Sequence, residues 1–231
     1  MLHNILAIVG PSGSGKTTIA LAMQRAGIPQ IVSYTTRPTR PGETNGVEHF
    51  FVSDTEADAI IKQHTLAAYT EISGYRYFTI TRQLCYMPDD NCQSKVQPIR
   101  LASYIVDERG LQELMRTAES INARERKHQF NIVPVYVDRE LPDRVRQCGW
   151  ERVRRDAQRT ELPQATYTIR VINNAPSLSA LESWSYAFSV AMGVILHPVS
   201  HADVHPSTLY TSDSDVAHII NTINKVQFAE V

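Results

Sequence analysis

The fold of this 231-residue chain follows from one stretch, Ile5-Leu6-Ala7-Ile8-Val9-Gly10-Pro11-Ser12-Gly13-Ser14-Gly15-Lys16-Thr17-Thr18. Its first five residues are apolar and predict a short buried strand. The apolar positions after Thr18 predict an amphipathic helix. Between them, Gly10, Gly15, Lys16 and Thr17 fit the spacing G-x-x-x-x-G-K-[ST]. A glycine-rich loop between a strand and a helix predicts a site for a nucleoside triphosphate.

The residue types explain this prediction. Glycines let the backbone curl so that successive N–H groups point at one anion, and the helix N-terminus adds partial positive charge. Lys16 can reach the β- and γ-phosphates, and the Thr17 hydroxyl can ligate Mg²⁺. The expected triphosphate-binding residues are Gly10, Ser12, Gly13, Ser14, Gly15, Lys16, Thr17 and Thr18, with Thr17 as the expected metal ligand.

Composition indicates a soluble globular protein, with 42% apolar and 20% charged residues. The net charge of −1 gives no basic field for nucleic acid. The three cysteines, Cys85, Cys92 and Cys148, have neither a zinc-site nor a disulfide spacing. We therefore expect reduced thiols and a cytoplasmic location. With neither a signal peptide nor a membrane-length apolar stretch in view, we expect no membrane association.

A second loop, residues 33–46, contains two prolines, two glycines and two arginines three positions apart. Proline rigidity favours a structured loop over a helix. Arg37 and Arg40 would form a fork for an anion, because planar guanidinium groups bind phosphate bidentately. The alternative is a solvated basic turn.

This segment resembles the GMP-binding signature of guanylate kinases. The matching residues are Ser33, Thr35, Thr36, Arg37, Arg40, Gly42, Glu43, Gly46, Glu48 and Phe51. The resemblance is close over about the first 55 residues and loose beyond them. It implies an α/β fold: a P-loop parallel-sheet core with helices on both faces, an inserted small mixed-β GMP-binding domain and a short lid.

The implied domains have the following bounds. The core comprises 1–32, 99–140 and 160–196, and the monophosphate-binding domain 33–98 has an insertion near 84–98. An arginine-rich lid spans 141–159, and 197–231 is an extension beyond the family.

Local signals predict the elements of this layout. Residues 54–63 form a helix capped by Ser53 or Asp54. Strands at 66–72 and 75–81 flank Ser73-Gly74 in a hairpin, and partial alternation through residue 86 favours a longer hairpin over the family's helix there. Further strands are expected at 101–106, 131–137 and 167–172, and further helices at 111–128, 141–162 and 178–195.

The resemblance also implies roles in acceptor binding. Glu71 matches the family's guanine-reading glutamate, since a carboxylate can accept from guanine N1–H and its 2-amino group. Asp107 either serves the guanine side or caps the next helix. The expected acceptor residues are Ser33, Arg37, Arg40, Glu43, His49, Glu71, Tyr77, Thr79 and Asp107.

In the lid, Arg144 and Arg154 best match the family's phosphate-clamping arginines, with Arg146 or Arg152 as possible substitutes. The expected catalytic residues are Lys16, Arg144 and Arg154. In the extension, three histidines recur every four residues, at 197, 201 and 205. Nearby prolines favour a loop without metal there.

The resulting hypothesis is a nucleoside monophosphate kinase, GMP + ATP → GDP + ADP, with ATP and Mg²⁺ as cofactors. The partners would be nucleotides, and the chain a monomer or homodimer. Three departures from the family leave alternatives open: His49 replaces a tyrosine, Phe78 replaces a glycine and would crowd the acceptor pocket, and the lid is short. The alternatives are a kinase of the same fold with another nucleotide or a sugar phosphate as acceptor, and a catalytically inactive binding module.

Overall fold

A computed structural model describes residues 1–86, 99–124, 128–156 and 168–173. The strands are β1 Leu2–Val9, β2 Gln30–Ile31, β3 Tyr34–Thr35, β4 Phe50–Phe51, β5 Leu66–Ile72, β6 Tyr75–Ile80, β7 Leu101–Ile105, β8 Gln129–Asp138 and β9 Ile169–Ile172. The helices are α1 Lys16–Arg25, α2 Asp54–Gln63, α3 Thr81–Cys85, α4 Glu108–Arg124, α5 Leu141–Cys148 and α6 Trp150–Asp156.

A five-stranded sheet has the strand order β2-β7-β1-β8-β9. The pairs β2–β7 and β8–β9 are parallel. Every residue of β1 after Leu2 is buried, as expected for a strand inside a parallel sheet covered on both faces. The predicted α/β class, with a mainly parallel sheet and a separate mixed sheet, is confirmed.

The chain divides into two compact units. The first comprises Met1–Ala7 and Gln30–Val133, and the second comprises Ile8–Pro29 and Pro134–Val231. The predicted acceptor residues lie in the first unit. The predicted phosphate loop, residues 10–17, and the arginines of the predicted lid lie in the second. The predicted domain boundaries themselves stay a prediction.

The mixed sheet belongs to the first unit and has the order β4-β3-β6-β5. β3 pairs parallel with β4, and β6 pairs antiparallel with β3 and β5. Ser73 and Gly74 have φ of 54° and 80° at the β5–β6 turn, a geometry that suits a two-residue hairpin. The predicted hairpin is confirmed.

Helix α2 has the predicted bounds, Asp54–Gln63. Its cap is Ser53, whose side chain accepts from the Glu56 backbone N–H, while the Glu56 side chain accepts from the Ser53 backbone N–H. This reciprocal pair satisfies two N–H groups that the first helical turn leaves open.

Two predicted elements differ in the structure. The hairpin does not extend through residue 86, because residues 81–85 form α3, where Gln83 Oε1 accepts from Ile80 N at 3.0 Å. The long helix predicted from residue 141 is two short helices separated by Gly149, which has φ of 81°. The helix predicted at 178–195, most of the 84–98 insertion and the extension from 197 lie outside the described residues. None of the described helices has the length and apolar character that crossing a membrane requires.

Candidate functional site

The phosphate loop has a backbone that demands glycine. Gly10, Gly13 and Gly15 have φ of 142°, 79° and 102°, values that other residues rarely adopt. A Cβ at Gly10 would lie 2.2 Å from the carbonyl oxygen of Val137. A Cβ at Gly13 would lie 3.0 Å from the carbonyl oxygen of Arg144. Close packing against β8 and α5 therefore fixes the shape of the loop.

Lys16 and Thr17 are the first two residues of α1, which begins directly after Gly15. The Lys16 ammonium donates to the carbonyl oxygens of Gly10 and Pro11, at 2.7 Å each. The lysine thus lies over its own loop, at a helix N-terminus where backbone N–H groups favour an anion. The Thr17 side chain is exposed.

Two arginines of the predicted lid, residues 141–159, contact the loop at Ser12. Arg144 Nε donates to the Ser12 carbonyl oxygen at 3.1 Å, and Arg152 Nε donates to Ser12 Oγ at 3.2 Å. Arg154 is exposed and makes no hydrogen bond to the loop within the described part of the chain. Residues two apart lie about 200° apart around a helix, so α6 directs Arg152, and not the predicted Arg154, to the loop. The alternative that named Arg152 fits the geometry better.

The loop also contacts Asn173, the residue that follows β9. Asn173 Nδ2, which is buried, donates to the Ser14 carbonyl oxygen at 2.8 Å. Ser14 Oγ is itself buried and has no hydrogen-bond partner among the described residues. The loop thus holds an unused hydroxyl beside its backbone N–H groups. Asn173 therefore supports the loop through the Ser14 carbonyl oxygen.

In the first unit, Arg37 is held by Glu43. Both terminal nitrogens of Arg37 donate to the Glu43 carboxylate at 2.9 Å, and Arg40 N donates to the same carboxylate at 2.8 Å. Arg37 is 7% exposed, whereas Arg40 is an exposed side chain. Burial would lower the pKa of Arg37, but interactions with Glu43 and Tyr77 outweigh it and raise that pKa. The loop therefore presents one ordered cation and one accessible cation.

His49 sits between two predicted acceptor residues. Its Nδ1 lies 2.9 Å from Ser33 Oγ, and its ring meets the Tyr77 ring edge-on with centroids 5.6 Å apart. Burial, followed by the charge of Arg37, lowers the pKa of His49 to about 4. The imidazole is therefore neutral at pH 7 and offers hydrogen bonds without adding charge.

Phe78 faces the core. It is 1% exposed, and its ring stacks on Tyr34 with centroids 5.2 Å apart. Neighbouring side chains on a strand point to opposite faces, so Phe78 points away from the face that carries Tyr77 and Thr79. The side chain that replaces the family's glycine fills the core, contrary to the expectation that it crowds the acceptor pocket.

Thr79 and Asp107 each have a partner in the first unit. Buried Thr79 Oγ1 lies 2.6 Å from the Tyr104 hydroxyl, and burial raises the pKa of Tyr104. Asp107 Oδ2 accepts from Thr70 Oγ1 at 3.0 Å, and its Oδ1 accepts from Gly110 N at 2.7 Å. Asp107 therefore caps the start of α4 while its other oxygen faces β5.

Glu71 is exposed on β5 and accepts from the Tyr69 hydroxyl at 2.5 Å. Burial, together with this hydrogen bond, raises the pKa of Tyr69 to about 12. Tyr69 and Glu71 lie two residues apart on one face of the strand. The tyrosine thus orients the carboxylate that sequence reasoning assigned to guanine.

A comparison with known proteins finds a family match over the first part of the chain. Residues 3–88 match the family model of guanylate kinase. The resemblance to guanylate kinases is confirmed. The guanylate kinase of Thermobifida fusca is 44% identical over 78 residues, which cover 32% of this chain and 39% of that protein. The guanylate kinase of Neisseria gonorrhoeae is 42% identical over 80 residues, covering 34% and 39%.

The structural similarity to a guanylate kinase covers more of the chain than the sequence matches do. The crystal structure of guanylate kinase from Anaplasma phagocytophilum covers 96% of both chains with a TM-score of 0.55 and 15% sequence identity. That identity supports a shared fold only. The sequence matches span about two fifths of the curated guanylate kinases. The match to the family model ends at residue 88, before the predicted lid.

Sequence reasoning missed three supporting residues, Tyr69, Thr70 and Tyr104. Each holds a predicted acceptor residue through a hydroxyl. Thr70 and Tyr104 are buried within strands, and threonine and tyrosine are both common in strands. No motif marks these residues: Tyr69 has its partner on the same strand, and the partners of Thr70 and Tyr104 are distant in sequence.

Proposed function

We propose that this chain transfers a phosphoryl group from ATP to a nucleoside monophosphate, with GMP as the acceptor. The observation that carries the proposal is the convergence of Lys16, Arg144 and Arg152 on one glycine-shaped loop. Three cations at a helix N-terminus suit a polyphosphate, and phosphoryl transfer needs positioning and charge neutralisation more than a protein nucleophile.

The loop fits a triphosphate on its own geometry. Gly10, Gly13 and Gly15 have positive φ, and such glycine-rich loops let successive backbone N–H groups point at one anion. The buried Ser14 hydroxyl, unpartnered among the described residues, is a further donor. The exposed Thr17 hydroxyl would hold Mg²⁺, which, when bound, neutralises phosphate charge.

The acceptor assignment rests on the guanylate-kinase-like segment, residues 3–88. Arg37, Arg40 and Tyr77 would hold the acceptor phosphate. Ser33 and His49 would complete this contact, and Glu43 would keep Arg37 in place. Glu71, Thr79 and Asp107 would select guanine through their hydrogen-bonding oxygens.

Two other functions remain as outcomes of the test. A kinase of the same fold could use another nucleotide or a sugar phosphate, because His49 stands where the family has tyrosine. A non-catalytic binding module is disfavoured by the complete loop and its lysine.

The experiment measures ADP release from ATP across a panel of nucleoside monophosphates and sugar phosphates. We expect turnover with GMP well above that with AMP, CMP and UMP. Turnover with a different acceptor would support the first alternative. ATP binding without turnover on any acceptor would overturn the proposed kinase activity.

A further inference from the structure

One cluster in the first unit, apart from the nucleotide-binding residues, combines two histidines and a cysteine. His3 at the start of β1, Cys85 at the end of α3 and His128 just before β8 each offer one ligand atom, and these atoms lie within 4.8 Å of one another. His3 and Cys85 are buried, at 0% and 6% exposure, whereas His128 is half-buried. The cluster is thus enclosed but reachable from the His128 side.

The hydrogen bonds of His3 define its tautomer. Its Nδ1 contacts the carbonyl oxygen of Ile99, which can only accept, so Nδ1 carries the proton. Its Nε2 therefore holds a lone pair, and this atom lies 2.8 Å from His128 Nδ1. A histidine that donates one ring N–H to a backbone carbonyl and directs the other nitrogen at its neighbours has the arrangement found in metal-binding histidines.

Aromatic rings surround the two imidazoles. Phe130 stacks on His3 with centroids 5.1 Å apart, and Tyr86 meets His128 edge-on at 6.0 Å. The two imidazoles also stack on each other, with centroids 5.1 Å apart, so the ring contacts hold them side by side.

We propose that His3, Cys85 and His128 form a binding site for a zinc-like divalent cation. Two imidazole nitrogens and one thiolate are a donor set that suits tetrahedral Zn²⁺, with water in the fourth position. The ligands come from three distant parts of the sequence, which is why the cysteine spacing gave no sign of the site.

The site needs a small adjustment to accept the ion. Tetrahedral zinc places its nitrogen and sulfur ligand atoms about 3.3–3.6 Å apart, so the two imidazoles must separate slightly from their 2.8 Å contact. The half-buried His128 can make this movement. On binding, the thiol proton leaves to solvent and the proton between the rings moves to His128 Nε2, which leaves three lone pairs for the metal.

Occupancy would tie the first strand of the chain to the end of α3 and the start of β8. An ion that binds only the folded chain stabilises it by mass action. The site is therefore structural and independent of the proposed kinase activity.

The experiment titrates Co²⁺ into the untagged, metal-stripped, reduced full-length chain. We expect one saturable site with a thiolate-to-cobalt charge-transfer band and d–d bands of tetrahedral intensity, and we expect Zn²⁺ to displace the cobalt. Cys85→Ser should lose the charge-transfer band. His128→Gln should weaken cobalt binding by at least about tenfold, and this half-buried position provides a second test if Cys85→Ser does not fold.

Matched variants separate this site from other donors in the chain. Cys92→Ser and Cys148→Ser should retain the band, as should a triple His→Gln variant at positions 197, 201 and 205. Zn²⁺ should raise the Tm of the wild type and of these controls, but not of Cys85→Ser or His128→Gln. Absence of saturable binding, or an unchanged spectrum in Cys85→Ser, would overturn the proposal.

Discussion

The two terminal nitrogens of Arg37 meet the two carboxylate oxygens of Glu43 in a paired hydrogen bond, each 2.9 Å long. Glu43 also accepts the backbone N–H of Arg40. One carboxylate therefore fixes a guanidinium and the turn that follows it.

Glu43→Gln should lower the free energy of unfolding by about 1–3 kcal/mol, because a hydrogen bond between charged, partly buried groups is lost. The measurement is urea denaturation. Glu119→Gln, at an exposed position on α4, serves as the control and should change stability by less than about 0.5 kcal/mol. Equal effects of the two substitutions would contradict a stabilising role for the pair.

His49 should make stability depend on pH. Burial and the charge of Arg37 lower its folded pKa to about 4 from 6.5, so the unfolded chain binds more protons between these values. The free energy of unfolding that depends on a neutral His49 is therefore fully present above about pH 6.5, and it falls as the pH falls towards 4. The wild type should lose more stability over this window than His49→Gln does.

Denaturation curves at several pH values check this difference, with His64→Gln, an exposed position, as the matched control. A wild-type curve parallel to that of His49→Gln would show that His49 is not held neutral by the fold.

Gly10→Ala should damage the phosphate loop, because the new Cβ meets the Val137 carbonyl oxygen at 2.2 Å and φ is +142°. Gly27→Ala is a matched control, since Gly27 also has positive φ but has nothing within 4 Å of the added Cβ. The control should cost about 1 kcal/mol, and Gly10→Ala about 1–3 kcal/mol more through overpacking. Thermal unfolding and ATP binding measure the two effects, and equal losses would count against the steric explanation.

Lys16→Ala should reduce phosphoryl transfer by at least about 10²-fold with the fold intact, since charge stabilisation in the transition state is removed. Circular dichroism checks the fold and coupled ADP release the activity. Lys62→Ala, at an exposed position on α2, should retain wild-type turnover. Activity of Lys16→Ala within about tenfold of the wild type would exclude a catalytic role for the lysine.

Glu71→Gln should lower kcat/KM for GMP and reduce the ratio of kcat/KM for GMP to kcat/KM for AMP. The new amide donor would face the donor edge of guanine, leaving a group unpaired at about 1–3 kcal/mol. The ring N1 of AMP is an acceptor and could take the new N–H. The direction in which the GMP/AMP ratio changes therefore tests whether Glu71 contacts guanine.

Glu119→Gln, the same substitution at an exposed position on α4, is the control for this experiment. It should preserve the GMP preference. No GMP preference in the wild type, together with an unchanged ratio in Glu71→Gln, would refute the assignment of Glu71 to guanine.

Elements with complete local signals could be predicted from the sequence. The capping residue of α2 and the Ser73-Gly74 turn each lie within a few residues of the groups that they satisfy. The partial alternation beyond Tyr77 gave a wrong prediction. In the structure, Gln83 of α3 accepts from Ile80 N, and its amide donates to the distant Val32 carbonyl at 2.7 Å. Local pattern cannot show such a contact.

In the candidate site, too, features set by neighbouring residues could be predicted and features set by distant contacts could not. The phosphate loop was predictable because its glycines and lysine are contiguous. The choice between Arg152 and Arg154 depends on where α6 begins, and this is decided by the break at Gly149. Tyr104 lies 25 residues from Thr79, and Thr70 lies 37 residues from Asp107, so only the folded chain identifies these two contacts.

The number of residues between Gly149 and Arg152 determines the direction in which the Arg152 side chain points from α6. Each residue added between Gly149 and Arg152 would turn the arginine by about 100° around the helix axis, away from Ser12. Two added residues would point it to roughly the opposite side, and only three or four would bring it back. The length of this segment can therefore vary only in whole helical turns if an arginine at this place in the sequence is to reach the phosphate loop.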